Sequence, residues 1–482
     1  MKDLILGVDL GTTRVKAGAF DSQGNLIEMA SKECTLLSEH PTWAEQNPDA
    51  WWESFAGISK EVAGRVEKKI SCMCIVGQGP TVVSIDSDGN PLRPAIVWMD
   101  RRATRESEII SDKLGQYVDS TYYSIPKIMW LKNNEPDIYE RTKWFIQSFD
   151  YLNYKLTGNV AIASLPSDLQ KPWTGQQIGL AKLDIEKFPE FKFTGEEIGK
   201  ITEPASRKTG LPRGIPVIAG ALDFVGSLIG TGTTRKGRAC DRGGTSQGLN
   251  LCWNEPIEDP QGRIACRSHP VKDLWNISGI MSTTGKSLDW FKDNFYGYQT
   301  PYDKMISEAS TVPPGSDSLI FLPYLMGERS PIWDPCARGV FFGISLQHTK
   351  AHFVRAVLES VAYAMRHVME VISEIGGEVS EVRTTGGQAK SDLWNHIKAD
   401  VLDKRILIPS VLDSEILGAA IIAGCGTKKF GDLEEAAEKM VKIKKIIEPN
   451  QDNYLRYSRL FELYEKLYPD LKKDFVKLSE VK

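Results

Sequence analysis

The apolar positions of the chain alternate between two rhythms. Leu4 to Val8 and Val15 to Phe20 are strand-like stretches separated by a Gly-Thr-Thr turn, and Asp21-Ser22-Gln23-Gly24-Asn25 leads into a third, Leu26 to Ala30. Stretches of this length punctuated by Gly, Asp and Asn predict an antiparallel meander. Between Trp51 and Val66 the period lengthens, and Trp52, Phe55, Ile58 and Val62 share one face of a predicted helix. Strands return at Ile70–Val76, Thr81–Asp86 and Ala95–Met99, the last two separated by a turn over Asp86–Asn90. Strands interleaved with helices predict an α/β domain.

A second start lies past the middle. Gly237 to Leu251, GRACDRGGTSQGLNL, again reads strand, Gly-Thr-hydroxyl turn, strand, so Gly244-Thr245-Ser246 repeats the device of Gly11-Thr12-Thr13. Two related domains are expected, divided at the small-residue cluster Gly232-Thr233-Thr234: residues 1–232 and residues 233–482. The second would end in a helical tail, because Asn453 to Leu478 places Tyr454, Tyr457, Leu460, Leu463 and Tyr464 along one side. A chain of 482 residues is too long for one core and agrees with two.

Composition excludes several classes. Hydrophobic residues make up 41% and charged ones 25%, an ordinary globular mixture, and a formal charge of -4 leaves no footprint for nucleic acid. The late lysines (Lys428, Lys429, Lys439, Lys442, Lys444, Lys445) alternate with apolar and acidic residues, as on solvated helix faces. Acidic Asp3 and Asp9 argue against a secretory leader, and no apolar stretch reaches the roughly 18 residues of a membrane span. The expected location is cytoplasmic. Eight cysteines are scattered apart from Cys72 and Cys74, which share one face of a strand; with no further ligands at zinc spacing, free thiols are expected.

A Gly-Thr-Thr turn lets backbone N–H groups and hydroxyls wrap phosphate oxygens, since glycine permits close approach. One such turn is weak evidence; two could clamp a polyphosphate. Asp9, directly before the first turn, could hold Mg2+ through water or merely cap the turn, and Lys16 could add charge or face solvent. Gly279 to Ser287, GIMSTTGKS, has one residue too many between its glycines for a P-loop, although it still reads as a loop entering a helix whose N-terminus attracts phosphate. Asp86–Asn90 lacks the glycine and glutamate of a calcium loop. His348 and His352 have the spacing of a metal pair but fall at a helix start. Asp223, in the apolar run Val217 to Ile229, is on its own a buried carboxylate in need of a partner.

Two longer segments change the picture. Tyr122 to Asn134, YYSIPKIMWLKNN, carries Ser124, Lys127 and Trp130; Gly339 to Glu359, GVFFGISLQHTKAHFVRAVLE, carries Gly339, Gly343, His352, Ala356 and Glu359. With LMGERSPIWDPCARG and TGGQAKSDLWNHIKADV beside them, they resemble the FGGY carbohydrate kinases over nearly the whole chain. The resemblance implies two ribonuclease-H-like domains of the actin and hexokinase type flanking a central cleft. It also implies ATP and Mg2+ as cofactors and a small sugar or polyol as substrate. It assigns the catalytic base to Asp223, the metal to Asp9 and Asp223, and phosphate binding to Gly11, Thr12, Thr13 and Lys16 and to Gly244, Thr245 and Ser246. Gly285 would line the phosphates. Gly386, Gly387, Gln388 and Ser391 match the adenosine motif, with Gln388 where the family often has a third glycine. The first domain then carries the sugar site and the second the nucleotide.

The acceptor pocket is expected to involve Gln78, Gly79, Pro80, Trp98, Asp100 and Phe224 beside Asp223. Sequences similar to glycerol kinase carry Gln-Arg-Glu-Thr where this chain has Gln78-Gly79-Pro80-Thr81, and Phe224 replaces the amide usual after the base in xylulose kinases. The WAEQNPDAWW segment and Trp98-Met99-Asp100 keep the likeness nearest to the pentulose kinases. A ketopentose such as xylulose is the expected substrate. The alternatives are glycerol, ribulose or gluconate as acceptor, a chaperone-like nucleotide switch, and a silent sugar-binding regulator. Asp223 with both long segments stands against the switch, and two intact phosphate turns stand against the silent regulator. A homodimer is the assembly that fits such an enzyme, with no nucleic-acid or membrane partner.

Overall fold

The computed structural model describes residues 3–115, 118–166 and 171–481. The strands of its first large sheet are β1 (Leu4–Leu10), β2 (Arg14–Phe20), β3 (Leu26–Glu33), β4 (Ile70–Gly77), β5 (Glu197–Lys200) and β6 (Pro216–Ile218). Those of the second are β7 (Arg238–Gly243), β8 (Gln247–Trp253), β9 (Ala265–Ser268), β10 (Trp275–Met281), β11 (Glu381–Gly386), β12 (Arg405–Pro409) and β13 (Ile443–Ile447). The sheet orders are β5-β6-β4-β1-β2-β3 and β9-β10-β8-β7-β11-β12-β13. In each sheet a hairpin pairs antiparallel, β1 with β2 and β7 with β8, while its first strand runs parallel to a later one, β4 or β11. A second parallel strand and an antiparallel edge follow in both, β6 then β5 and β12 then β13. A five-strand core of one topology, β3-β2-β1-β4-β6 and β10-β8-β7-β11-β12, is built twice, each time opening with the Gly-Thr hairpin, while the edge strands differ.

The chain forms two compact units, Met1–Gly230 with Ser414–Val441, and Thr231–Asp413 with Lys442–Lys482. A single cut at Gly232 treats each half as continuous, whereas residues 414–441 return to the first unit. The cause is the apolar helix Ser414–Gly426, which buries Ile416, Leu417, Ile421 and Ile422 and packs on β1 and on the helix Asp223–Gly230. The two helices meet backbone to backbone. A Cβ at Gly418 would lie 1.9 Å from the Gly226 carbonyl oxygen, and one at Gly230 would lie 1.9 Å from that of Ser414. Ser227 Oγ adds a hydrogen bond to Glu415 Oε1 at 2.9 Å.

The predicted helix over Trp51–Val66 forms as Pro48–Arg65, with Asn47 accepting from the Asp49 N–H at 2.9 Å as its cap and Pro48 opening its first turn. It buries Trp51, Trp52, Phe55, Ile58 and Val62 and packs on β2 and β3. The strands expected at Thr81–Asp86 and Ala95–Met99 shorten to Val83–Ile85 and Ala95–Ile96, because Asp86 Oδ1 closes a turn on Asp88 and Asn90 and the Asp100 N–H turns back to Val97 O. The tail is one helix, Gln451–Glu480, whose buried stripe is Tyr457, Phe461, Tyr464, Tyr468 and Phe475, while Leu463 stays exposed. The eight cysteines are free thiols. Among the described residues, no helix is long and apolar enough to cross a membrane.

Candidate active site

In the first unit, three adjoining parallel strands end side by side. Asp9 lies next to the end of β1, Gln78 directly follows β4, and Asp223 follows β6 at the start of the helix Asp223–Gly230. The edges are stitched together: Leu10 pairs with Gly77, the Gln78 N–H donates to Leu10 O at 2.9 Å, and the Gly77 N–H donates to Ala221 O at 3.2 Å. Carboxyl ends of parallel strands are where open α/β sheets bind ligands. Asp223 is half-buried, and its Oδ1 accepts the Phe224 N–H at 2.6 Å, the arrangement a helix N-terminus favours for an anion.

The Gly11–Thr13 turn is closed by the Gly11 N–H on Arg14 O at 3.0 Å. Thr13 is exposed, and Lys16 Nζ stands 3.9 Å from Asp9 Oδ2 across the hairpin. Thr12 is used differently from Thr13. Its hydroxyl donates to Gln78 Oε1 at 3.0 Å and accepts from Trp98 Nε1 at 2.9 Å, so it ties the turn to the expected acceptor wall.

That wall is framed from behind. Gln147 Oε1 accepts the Thr81 N–H at 2.9 Å, Ser148 Oγ donates to Gln78 O at 2.7 Å, and a Cβ on Gly79 would come within 2.5 Å of Leu222. Asp100 lies behind the wall rather than on it. It is fully buried, with one oxygen taken by the Ala44 N–H at 2.6 Å and both engaged by Arg102, whose guanidinium is stacked 3.8 Å from the Trp43 ring. Lys127 is also fully buried and donates to Pro80 O at 3.1 Å and Trp98 O at 3.4 Å, joining the two wall segments. Burial lowers its pKa to about 7, although Asp100 and Asp119 oppose that shift.

In the second unit, the Gly244–Ser246 hairpin, the loop into the helix Gly285–Phe291 and the end of β11 converge. The Gly285 N–H donates to Gly244 O at 3.0 Å, and the N–H groups of Thr284 and Lys286 both donate to Thr245 O at 3.2 Å. A Cβ on Gly285 would meet Gly244 O at 2.3 Å, and one on Gly386 (φ +82) would meet Gly243 O at 2.5 Å. These glycines serve close backbone approach. Gly244 and Gly387 differ: an added Cβ would find only Ser246 O at 3.4 Å in one case and nothing within 4 Å in the other. Both are exposed, as is Thr245, so this unit offers an open cradle of backbone and hydroxyl that suits phosphate oxygens. Gln388 is buried beneath that cradle, with Nε2 directed at Gly244 O (3.4 Å) and Thr284 Oγ1 (3.3 Å); it supports the hairpin. Ser391 Oγ caps the helix Asp392–Leu402 by accepting the Trp394 N–H at 3.3 Å.

For a metal, no cluster of three or more His, Cys, Asp or Glu residues exists among the described residues. A single carboxylate such as Asp9 beside phosphate oxygens fits Mg2+, which keeps several waters. The His348 and His352 rings are engaged in turn and cap bonds, Nδ1 accepting from the Ser345 and Thr349 N–H groups at 2.9 and 3.1 Å. Sequence reasoning did not single out Gln46, Gln147 or Glu328. Glu328, buried with its pKa raised to about 7 by desolvation, accepts the Ser282 N–H at 2.6 Å and so anchors the loop that leads to Gly285.

Duplicated units of this topology, each presenting a Gly-Thr hairpin at the carboxyl ends of its parallel strands, define a phosphotransferase of the actin and hexokinase fold class. The chain belongs to the FGGY family of carbohydrate kinases: the family's N-terminal domain matches residues 4–230 and its C-terminal domain residues 242–427. It is 31% identical to a xylulose kinase of Staphylococcus epidermidis over 98% of both chains. It is 28% identical to a gluconokinase of Bacillus subtilis, over 100% of this chain and 98% of that one. The crystal structure of xylulose kinase from Rhodospirillum rubrum is similar at a TM-score of 0.84 and 28% identity, covering 98% of this chain and 99% of the other. The protein is therefore a carbohydrate kinase, in a family that uses ATP and a divalent metal.

Proposed function

We propose that the enzyme transfers the γ-phosphoryl group of ATP to a hydroxyl of a ketopentose such as xylulose, with Asp223 as catalytic base. The placement of Asp9, Gln78 and Asp223 on adjoining strand ends supports this, because base, acceptor contact and metal-side carboxylate share one edge. Asp223 accepts the proton of the attacking hydroxyl, and the Phe224 N–H holds its carboxylate in place. Bound ATP with Mg2+ supplies the electrophilic phosphoryl group and the charge that offsets its oxygens. Asp9 and Lys16 attend the metal and phosphates on the first hairpin. Gly244, Thr245, Ser246 and Gly285 hold the nucleotide phosphates in the second unit, and Gly386 and Gly387 receive the adenosine, with Gln388 and Ser391 shaping that motif. The cytoplasm, where ATP is made available, is the setting.

The acceptor wall favours a neutral ketose over an aldonate. Behind it, Arg102 is bonded to Asp100 and Glu45 between the Trp43 and Trp130 rings, and Lys127 to two carbonyls. Phe224 adds an apolar surface, which suits an uncharged sugar better than a carboxylate. ADP release should be measured over a panel of pentuloses, hexuloses, polyols and aldonic acids. The expected result is a kcat/KM for xylulose at least about 10-fold above that for gluconate; a preference for gluconate would overturn the ketopentose assignment.

A further inference from the structure

We propose that Gln46 is a positioning residue that locks the phosphate hairpin to the acceptor strand. The inference rests on the assignment above of Gly11–Thr13 to phosphate and of Gln78 and Trp98 to the acceptor.

Three residues form a closed ring of hydrogen bonds, two between side chains and one to the Thr12 main-chain carbonyl. Thr12 Oγ1 donates to Gln78 Oε1 at 3.0 Å, Gln78 Nε2 donates to Gln46 Oε1 at 2.6 Å, and Gln46 Nε2 donates to Thr12 O at 2.7 Å. Every bond runs in the same sense, and Trp98 Nε1 feeds the ring by donating to Thr12 Oγ1 at 2.9 Å. Gln46 and Gln78 are 0% and 1% exposed, so losing one partner strands another buried polar group.

The ring is not needed to place its own outer members. The main chain of Gln46 is paired with Ala95 and followed by the Asn47 cap. That of Gln78 is held by Leu10 O and by Ser148 Oγ. The hairpin tip differs. Its main-chain ties are the Gly11 N–H on Arg14 O and the Cys34 N–H on Thr13 O, and among the described residues Thr12 between them is held by hydrogen bonds of this ring and the indole. Gln46 therefore sets the height of the phosphate turn relative to the strand end that carries Gln78. It touches neither reactant and acts through Thr12.

The experiment compares wild type, Gln46→Met, Thr12→Val and the double variant by steady-state kinetics, and by amide hydrogen exchange over residues 9–16. A shift of the turn should lower kcat of Gln46→Met by about 10- to 100-fold while the sugar KM moves less than about 3-fold. Exchange over 9–16 should accelerate while that of β4 stays as in wild type. The double variant should be no slower than the worse single one, because the ring acts as a unit. Should Gln46→Met fail to fold, Gln46→Glu, which keeps the acceptor and removes the donor, is read in the same way. An unchanged kcat with unchanged exchange, or losses that multiply in the double variant, would overturn the inference. A wild type that phosphorylates no sugar would instead overturn the proposed function, and the exchange arm then decides the inference by itself.

Discussion

Lys127 carries a charge that its surroundings only partly accommodate. Its ammonium is fully buried against two carbonyls, Asp100 and Asp119 favour the charged form, and burial together with Arg102 disfavours it, bringing the pKa from 10.5 to about 7. Below pH 7 the folded and unfolded chains both hold the proton and the residue contributes no slope. Above it, up to the unfolded value, the unfolded chain binds a proton that the folded one does not, so stability rises with pH. In urea unfolding, the stability of wild type relative to Lys127→Met should be level from about pH 5.5 to 6.5 and then grow by about 1–2 kcal/mol toward pH 9; a constant difference would refute the buried-ammonium account. The residue was visible in sequence only as part of a family segment. Its partners, Pro80 and Trp98, lie 47 and 29 positions away, and no local spacing announces them. Asp100 and Thr12 follow the same pattern, since residue type alone does not tell a ligand from a brace.

At the scale of elements, the helix Asp223–Gly230 takes its position from the helix Ser414–Gly426, through glycines that permit backbone contact. Gly418→Val would drive a side chain into the Gly226 carbonyl and should destabilise the enzyme by at least about 1–3 kcal/mol, with a fall in kcat because the helix carrying Asp223 must move. Gly64, in the helix Pro48–Arg65, has nothing within 4 Å of an added Cβ, so Gly64→Ala should be neutral or slightly stabilising. Thermal unfolding of both variants checks this: equal melting shifts would show that the helix crossing is not tight. The hairpins at Gly11 and Gly244 were legible because turn chemistry is local. The return of residues 414–441 was not, because the surface on which this apolar helix buries itself, and the Gly226 and Gly230 that let it approach, lie nearly two hundred or more positions earlier.

At the scale of the molecule, one five-strand sheet core is used twice, and that much could be read from the recurrence of strand, Gly-Thr turn and strand. The class of chemistry was legible too, through two long segments that carry the family likeness. The framing of the proposed acceptor wall by Gln46, Gln147, Lys127 and Arg102 was not, since it is assembled from segments that meet only in the fold. The central claim is that Asp223 deprotonates the sugar hydroxyl, and sugar-dependent ADP release by Asp223→Asn, with ATP affinity measured alongside, tests it most directly. The account expects turnover to fall by about 100-fold or more while ATP binding stays within about 3-fold of wild type. Turnover close to that of wild type would contradict it.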